Sequence, residues 1–538
     1  MSRAPALTVI CGARTREIPF AVGSSMREIL EAADVPVRWG CQGNCACGLC
    51  AVRVDGGVTS EPTENELLLL SAEQIESGVR LACQLTAEDG LQIEILGRLA
   101  SPASVESLMS TADSKRSTSD AARPAISGGS RYGVAIDVGT THIRVSLCDL
   151  GGPGRIAGRL FDNPQSRWGA DVMARLIAAG ESTDAASRFA DTLTAAIRNA
   201  VAGLCASAGV APSEIARVRI VGNTPMLLLM TLGDPTTLLD PGSWTRPVEC
   251  RVEDSAAFAG ALGIDPDASV EVIQPLAGWV GSDLLAAVLA TGLVEGPRGL
   301  LIDFGTNSEI ALWDESTLWV TSAAGGPAFE SFGLSCGIPA EEGAISSVRR
   351  DAYSDELLCD VIGGGSATGL CGSGLVDLIA VLRDTDELSV IGRLDGRHED
   401  GLVLETGGRK VRVTNRDVDT FQRAKAAIGA GVTTLLGVAE MARDDIERVC
   451  VCGAFGEHLD SGNARRIGLL PDIEAARFEL CSDAAVSGCE LLLTPAPGSA
   501  KLQSAREMAV VVNLAQTPDF DALFLENLYL RPQGVTER

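Results

Sequence analysis

Residues 132–150 read YGVAIDVGTTHIRVSLCDL. Tyr132 to Ile136 make an apolar strand, Asp137-Val138-Gly139-Thr140-Thr141 a turn, and HIRVSLCDL alternates as the returning strand, so the stretch is a β-hairpin with a carboxylate at its turn. The plan recurs at 299–313, GLLIDFGTNSEIALW, with an apolar strand to Ile302, the turn Asp303-Phe304-Gly305-Thr306-Asn307, and a second returning strand. The recurrence is an internal repeat. Glycine lets a backbone close on phosphates, Thr and Asn donate hydrogen bonds, and a carboxylate at a strand end holds hydrated magnesium. A further strand and small-residue turn, VCVCGAFGEHLD, follows at 449–460. One such hairpin alone is an ordinary turn; two with this third segment point to a nucleotide site.

Toward the N-terminus, residues 100–131 read ASPASVESLMSTADSKRSTSDAARPAISGGSR, rich in Ser, Ala and Pro without a sustained period. That composition buries too little apolar surface to order itself and predicts a flexible tether over 100–130. Before it lies GCQGNCACGLC, where Cys41, Cys45, Cys47 and Cys50 crowd together, and Cys83 follows in LACQ. ALTVIC (6–11) and EIPFA (17–21) read as strands, SSMREILEAADV as a serine-capped helix, and VRVDGG and LQIEIL (91–96) as further strands. The cysteine segment has three glycines and no apolar period, which suits a loop whose amides approach sulfide. The arrangement resembles a β-grasp ferredoxin. Five residues separate Cys41 from Cys47 and two separate Cys47 from Cys50. The plant-type run has four in the first gap, and the five-residue gap resembles that of vertebrate-type and hydroxylating ferredoxins. The resemblance implies Cys41, Cys47, Cys50 and Cys83 as ligands of a 2Fe-2S cluster, with Cys45 left over; a structural zinc site or unliganded thiols are the other readings.

The chain has 538 residues, enough for roughly three or four domains. Its net charge of −27 opposes a polyanionic partner, so neither nucleic acid nor an anionic membrane face is expected. No run of ~18 apolar residues occurs and the N-terminus lacks a signal pattern, which predicts a cytoplasmic protein. Most cysteines outside the N-terminal cluster sit in apolar runs and read as buried thiols. The three histidines (His142, His398, His458) are far apart, which gives a mixed Cys/His zinc site little support.

The paired hairpins and the GAFG turn resemble the phosphate-1, phosphate-2 and adenosine motifs of the acetate and sugar kinase/heat-shock chaperone/actin ATPase superfamily. NPQSRWGADVMAR (163–175), VGNTPM (221–226), AGWVGSDLLAA (277–287), SAAGGPAFE (322–330), GLCGSGLVDL (369–378) and AKAAIGAGV (424–432) narrow the likeness. With the ferredoxin module, the chain resembles the reductive activators of corrinoid proteins. It departs from that family's pattern at Phe304 and Ser308, in an extra glycine in SAAGGPAFE, and in lacking the family's arginine in SFGLSCGIPAEEGAI.

The resemblance implies an α/β multidomain chain: a β-grasp ferredoxin domain (1–99), the linker (100–130), a middle region and first ribonuclease-H-like lobe (131–290) and a C-terminal ATPase lobe (291–538). Asp137 and Asp303 would hold magnesium through water, and Glu309 or Asp303 would orient the attacking water. Gly139, Thr140, Thr141, Gly305, Thr306 and Asn307 would cradle phosphates, and Gly453, Ala454 and Gly456 would approach adenosine. The expected activity is ATP-dependent transfer of one electron from the cluster to a Co(II) corrinoid protein of a cobalamin-dependent methyltransferase system, restoring Co(I). A low-potential donor such as ferredoxin or flavodoxin would supply the electron, and a homodimer is the assembly to test. The rivals are an electron injector for acyl-CoA dehydratases or reductases and a non-catalytic redox-sensing, ATP-binding module. Trp168, Trp279, Cys336 and Cys371 read as core before they read as site, and His458 as a surface or capping residue.

Overall fold

The computed structural model describes residues 5–11, 14–21, 23–33, 35, 37, 50–55, 60–70, 72–96, 131–152, 154–169, 171–305, 307–325, 334–354, 356–453, 455, 458–473, 476–494 and 498–534. The 100–130 segment therefore lies outside the described residues.

The N-terminal unit is one sheet of β1 (Ala6–Cys11), β2 (Arg14–Pro19), β3 (Ala51–Asp55), β4 (Val79–Leu81) and β5 (Gln92–Ile95), in the order β2-β1-β5-β3-β4. β1 and β5 are parallel and the other pairs antiparallel, which gives the expected β-grasp sheet. α1 (Met26–Ala32) begins in a capping box: the Glu28 amide donates to Ser25 Oγ while the Glu28 carboxylate accepts from the Ser25 amide. Met26 and Leu30 then pack on Leu7, Val9, Val52 and Ile93. The second strand starts three residues before the reading EIPFA. Its polar half, Arg14 to Glu17, pairs with β1 as a sheet edge, where Thr15, Arg16 and Glu17 are exposed, and it stops at Pro19, which has no amide to donate. Two short helices, α2 (Glu64–Leu69) and α3 (Ala72–Glu76), were not foreseen, although Thr63 and Glu66 form a second capping box.

The remaining chain repeats one plan. Its first sheet contains β6 (Tyr132–Val138), β7 (His142–Asp149), β8 (Gly154–Asp162), β9 (Ile215–Gly222) and β10 (Ser269–Val272), ordered β8-β7-β6-β9-β10. Three antiparallel strands come first and two parallel strands extend the other side. Helices α4 (Val172–Gly180), α5 (Thr183–Ala208), α6 (Thr224–Met230) and α7 (Ser255–Ala261) accompany it, and α8 (Ser282–Thr291) leads to the second lobe. There β11 (Gly299–Phe304), β12 (Ser308–Trp313) and β13 (Leu318–Ala323) form the antiparallel meander. Before its parallel partners come an insertion and a helix pair: β14 (Ala344–Arg350), β15 (Leu357–Val361), β16 (Gly369–Leu370), α9 (Gly372–Asp384), the hairpin β17 (Leu402–Thr406) and β18 (Arg409–Val413), and α10 (Asn415–Val438). β19 (Arg448–Gly453), α11 (Ser461–Arg466), β20 (Arg477–Cys481), α12 (Ala484–Leu491), α13 (Gly498–Met508), β21 (Ala509–Val511) and α14 (Phe520–Asn527) complete it. The sheet order β13-β12-β11-β19-β20 matches the first lobe strand for strand, with β21 added at the β13 edge.

α8 and α12 pack together between the two sheets. Ala135, Val221, Leu285, Leu301, Cys450 and Val486 share this buried cluster, which joins the lobes. The helices approach so closely that a Cβ on Gly488 would lie 1.9 Å from the Ala286 carbonyl oxygen. Only glycine fits there.

Candidate functional site

The two hairpin turns meet across a cleft of about 680 Å³, including its open mouth. Asp137, Gly139, Thr140 and Thr141 line it from the first lobe, and Asp303, Gly305, Asn307, Glu309 and Gly453 from the second. Thr306, Ala454 and Gly456 lie outside the described residues.

Buried side chains behind the first turn fix it. Arg175, only 1% exposed, donates through Nη1 to the Thr140 carbonyl at 2.7 Å and through Nε to that of Gly169 at 2.8 Å. Asn163 donates to the Gly139 carbonyl at 2.9 Å, and its amide to that of Thr141 at 2.7 Å. The segment 163–175 thus serves as a brace for the phosphate-type turn. Asn223, the cap of α6, adds a hydrogen bond from Nδ2 to Thr140 Oγ1 at 2.9 Å.

On the other side Gly453 has φ +81°, and a Cβ there would sit 2.5 Å from Asp303 Oδ1. Both the left-handed backbone and the close carboxylate require glycine.

Strand register then sets the charges. Asp137 is opposite Arg144, whose Nη1 is 3.4 Å from Asp137 Oδ2 and whose Nε is 3.8 Å from Asp483 Oδ1. Burial raises Asp137 above its ordinary value against the opposing charge of Arg144. Asp303 is opposite Glu309, acid facing acid. Burial first, then the charges of Asp283 and Asp303, push Glu309 well up. Asp283, in the first turn of α8, also lines the cleft, and burial followed by Asp137 and Asp303 pushes it well up too.

Four carboxylates so placed repel one another, and a cation among them relieves both repulsion and burial. Among the described residues no three acids converge into a direct three-ligand metal site. A set of carboxylate oxygens suits a magnesium ion that keeps its waters.

Asp283, Arg144, Asn223 and Asp483 had no role in the sequence reading. Asp283 and Asn223 lay within quoted segments, and an acid or Asn entering an apolar helical run was the available signal. Asp483 precedes α12 and accepts from Arg155 Nη1 at 3.0 Å; Arg155 Nε reaches Glu490 at 2.6 Å, tying β8 to α12. Thus the cleft wall and the helix that joins the lobes share one ion-pair network.

In the N-terminal unit Cys50 immediately precedes β3, and the Ala82 amide donates to its carbonyl at 2.9 Å, so Cys50 lies beside the 3-10 turn that carries Cys83. The buried pair Arg80 and Glu66 anchors that turn: Nε and Nη2 meet the carboxylate at 2.9 and 2.8 Å, and the Leu81 amide adds a third bond at 2.9 Å. Burial would raise Glu66, but these partners outweigh it and hold the carboxyl below its usual range. Gln84 Nε2 lies 3.9 Å from Cys83 Sγ, as suits an amide donating to a sulfur ligand. Two cysteines on adjoining segments fit half of a four-thiolate cluster. Cys41, Cys45 and Cys47 lie outside the described residues.

Of the other residues singled out, Cys371 is buried and Cys336 partly buried against the core. Trp168 stacks on Phe189, Trp279 meets Trp244 edge-on, and His458 is exposed.

Three family models match the chain: the 2Fe-2S iron-sulfur cluster binding domain over residues 9–88, the RACo middle region over 132–296, and the C-terminal ASKHA domain of RACo over 298–537. The chain belongs to this family of a ferredoxin-type domain fused to an ASKHA nucleotide-binding fold. It is 28% identical over 421 residues to the corrinoid activation enzyme RamQ of Eubacterium limosum, covering 74% of this chain and 70% of that protein. It is 25% identical over 447 residues to the [Co(II) methylated amine-specific corrinoid protein] reductase of Methanosarcina barkeri, covering 75% and 78%. The solved structure of a reductive activator for corrinoid,iron-sulfur protein superposes with a TM-score of 0.66 at 26% identity, covering 97% of this chain and 98% of that one. The resemblance to reductive activators and the two-lobed fold are thereby upheld. Among the described residues no helix is long and apolar enough to cross a membrane.

Proposed function

We propose that this protein is an ATP-dependent reductive activator, which passes one electron at a time to an inactive Co(II) corrinoid protein of a methyl-transfer system and restores Co(I). The observation that carries the reading is the acid-lined cleft between two DxGT hairpins, on the same chain as the adjoining cysteines Cys50 and Cys83. The names of the relatives support corrinoid proteins as partners.

Bound magnesium would neutralise phosphate charge, and a 2Fe-2S cluster held by Cys41, Cys47, Cys50 and Cys83 would carry the electron. The chain's own residues do the rest. Gly139, Thr140, Thr141, Gly305, Thr306 and Asn307 receive the phosphates, with Arg144 at the edge as their cation. Asp137, Asp283 and Asp303 would hold the hydrated metal, and Glu309, pushed up by burial first and then by its acidic neighbours, accepts a proton from the attacking water once the metal offsets those charges. Gly453, Ala454 and Gly456 face the adenosine. Closure of the lobes about α8 and α12 couples the nucleotide state to docking of the corrinoid partner. A ferredoxin or flavodoxin is the donor that fits a low-potential step, in the cytoplasm; a homodimer and the division at 99, 130 and 290 belong to the same reading.

The decisive experiment is anaerobic. Reduced protein is mixed with Co(II) corrinoid proteins with and without Mg-ATP, and the visible Co(I) band is followed. Co(I) that forms only with ATP is expected; ATP turnover and a reduced cluster without Co(I) from any candidate overturns the reading. For the ligands, Cys45→Ala keeps the visible 2Fe-2S spectrum and Cys47→Ala loses it; an intact cluster in the second variant refutes the assigned set.

A further inference from the structure

A second pocket, of about 400 Å³ including its mouth, lies where the C-terminal segment 526–534 crosses α10, and none of its lining residues lines the cleft. Its floor is Lys425, 1% exposed. The ammonium donates to the carbonyls of Asn527 at 2.7 Å and Tyr529 at 2.9 Å. It has a third proton and, among the described residues, no carboxylate partner. Arg443 and Arg531 line the same pocket, and neither forms an ion pair among the described residues. The one lining carboxylate, Glu526, is exposed and pairs with none of the three.

A buried cation ringed by like charge is costly unless an anion completes it. Burial, then the charge of Arg531, brings Lys425 down to about 7, as expected when the counter-charge is not part of the chain.

Two buried polar atoms here also lack partners: Arg443 Nε, a donor, and Gln533 Oε1, an acceptor. Gln533 Nε2 donates to the Gly468 carbonyl at 3.0 Å, which fixes the amide and leaves Oε1 available, and Arg443 Nη1 donates to the Gln533 carbonyl. Three cationic donors beside one acceptor match an oxyanion that itself carries a proton. A fully ionised anion would leave Gln533 Oε1 unsatisfied.

We propose that this pocket binds a protonated tetrahedral oxyanion, the phosphate group of inorganic phosphate or of a phosphomonoester, with Lys425, Arg443 and Arg531 on its oxygens and Gln533 accepting its P–OH. The fit predicts preference for phosphate over sulfate.

The test is calorimetric titration of the full-length protein, its cleft saturated with magnesium and a non-hydrolysable ATP analogue, with inorganic phosphate, glycerol phosphate and sulfate. Phosphate is expected to bind at one equivalent and sulfate roughly ten-fold or more weaker, the loss of about one buried hydrogen bond. Arg531→Gln and Arg443→Gln, at partly exposed positions that spare folding, each weaken phosphate by a similar factor and leave ATP hydrolysis unchanged. Gln533→Met brings the phosphate-to-sulfate ratio toward one. Binding of phosphate alone assigns the free ion, and binding of glycerol phosphate as well assigns phosphomonoesters; either upholds the site. No phosphate binding, sulfate binding as tight as phosphate, or variants that bind like the parent overturns it.

Discussion

The two hairpins share strand order and register, yet the same rung carries Asp137 opposite Arg144 in the first lobe and Asp303 opposite Glu309 in the second. Their parallel neighbours correspond too: Asp137 lies beside Val221 and Asp303 beside Cys452, and each strand then reaches a glycine, Gly222 or Gly453. The fold supplies the rung and the sequence chooses its charge. An acid–base rung compensates itself and sets a guanidinium on the cleft wall. An acid–acid rung is uncompensated, and after burial, the larger cause, and Asp283 it adds to pushing Glu309 well above its ordinary value. Under the proposed reading the Arg144 rung would serve the phosphates and the Asp303–Glu309 rung the cation and the attacking water.

Substitutions can break this division of labour. The largest effect is expected from Glu309→Gln, which should lower the rate of ATP hydrolysis by roughly 10²–10⁴-fold, the usual worth of a general base, with nucleotide affinity nearly unchanged in a binding titration. Asp303→Asn should weaken magnesium dependence by roughly 10–100-fold, seen as a shift in the metal concentration needed for half-maximal hydrolysis. Arg144→Met should raise the nucleotide Kd by about ten-fold and leave the rate at saturation largely intact, as befits one charged hydrogen bond. Arg144→Glu makes the first rung acidic like the second and should weaken nucleotide further; unchanged affinity would remove Arg144 from the phosphate assignment.

The smallest effect is on stability. Asp283 and Glu309 are raised above their ordinary values of 3.8 and 4.5, so the folded state retains protons that the unfolded chain gives up. Their contribution is present in full below those ordinary values and is lost as pH rises through the raised ones. The melting temperature of the nucleotide-free protein should fall by a few degrees between pH 5 and 8, about 2–4 °C per kcal/mol for domains of this size. Mg-nucleotide should reduce that slope, and so should Glu309→Gln.

Much of this was legible because hairpins are local. Strand period, turn residues and the acid at the strand end all fall within nineteen residues of 132–150, and the repeat at 299–313 confirmed their meaning. Asp283 was not legible as a cleft residue, because its position comes from α8 crossing between two sheets, a relation no local pattern encodes. Arg144 was hidden by alternation: it sat in the returning strand as one more polar residue, and only the register shows it opposite Asp137. The insertion β14–β18 left little periodic signal, since its strands are short and pair within a small sheet and a separate hairpin.

The contact between Gly488 and the Ala286 carbonyl gives the acids of the cleft a further property. Asp283 rides on the first turn of α8, and Asp483 sits just before α12. A slide of α8 would change the spacing of Asp283 from Asp137 and Asp303, and with it the work of ionising Asp283. Lobe position would thereby be written into proton affinity: closure or opening of the nucleotide cleft would take up or release hydrogen ions, and a pH indicator in weak buffer would serve as a strain gauge for the motion.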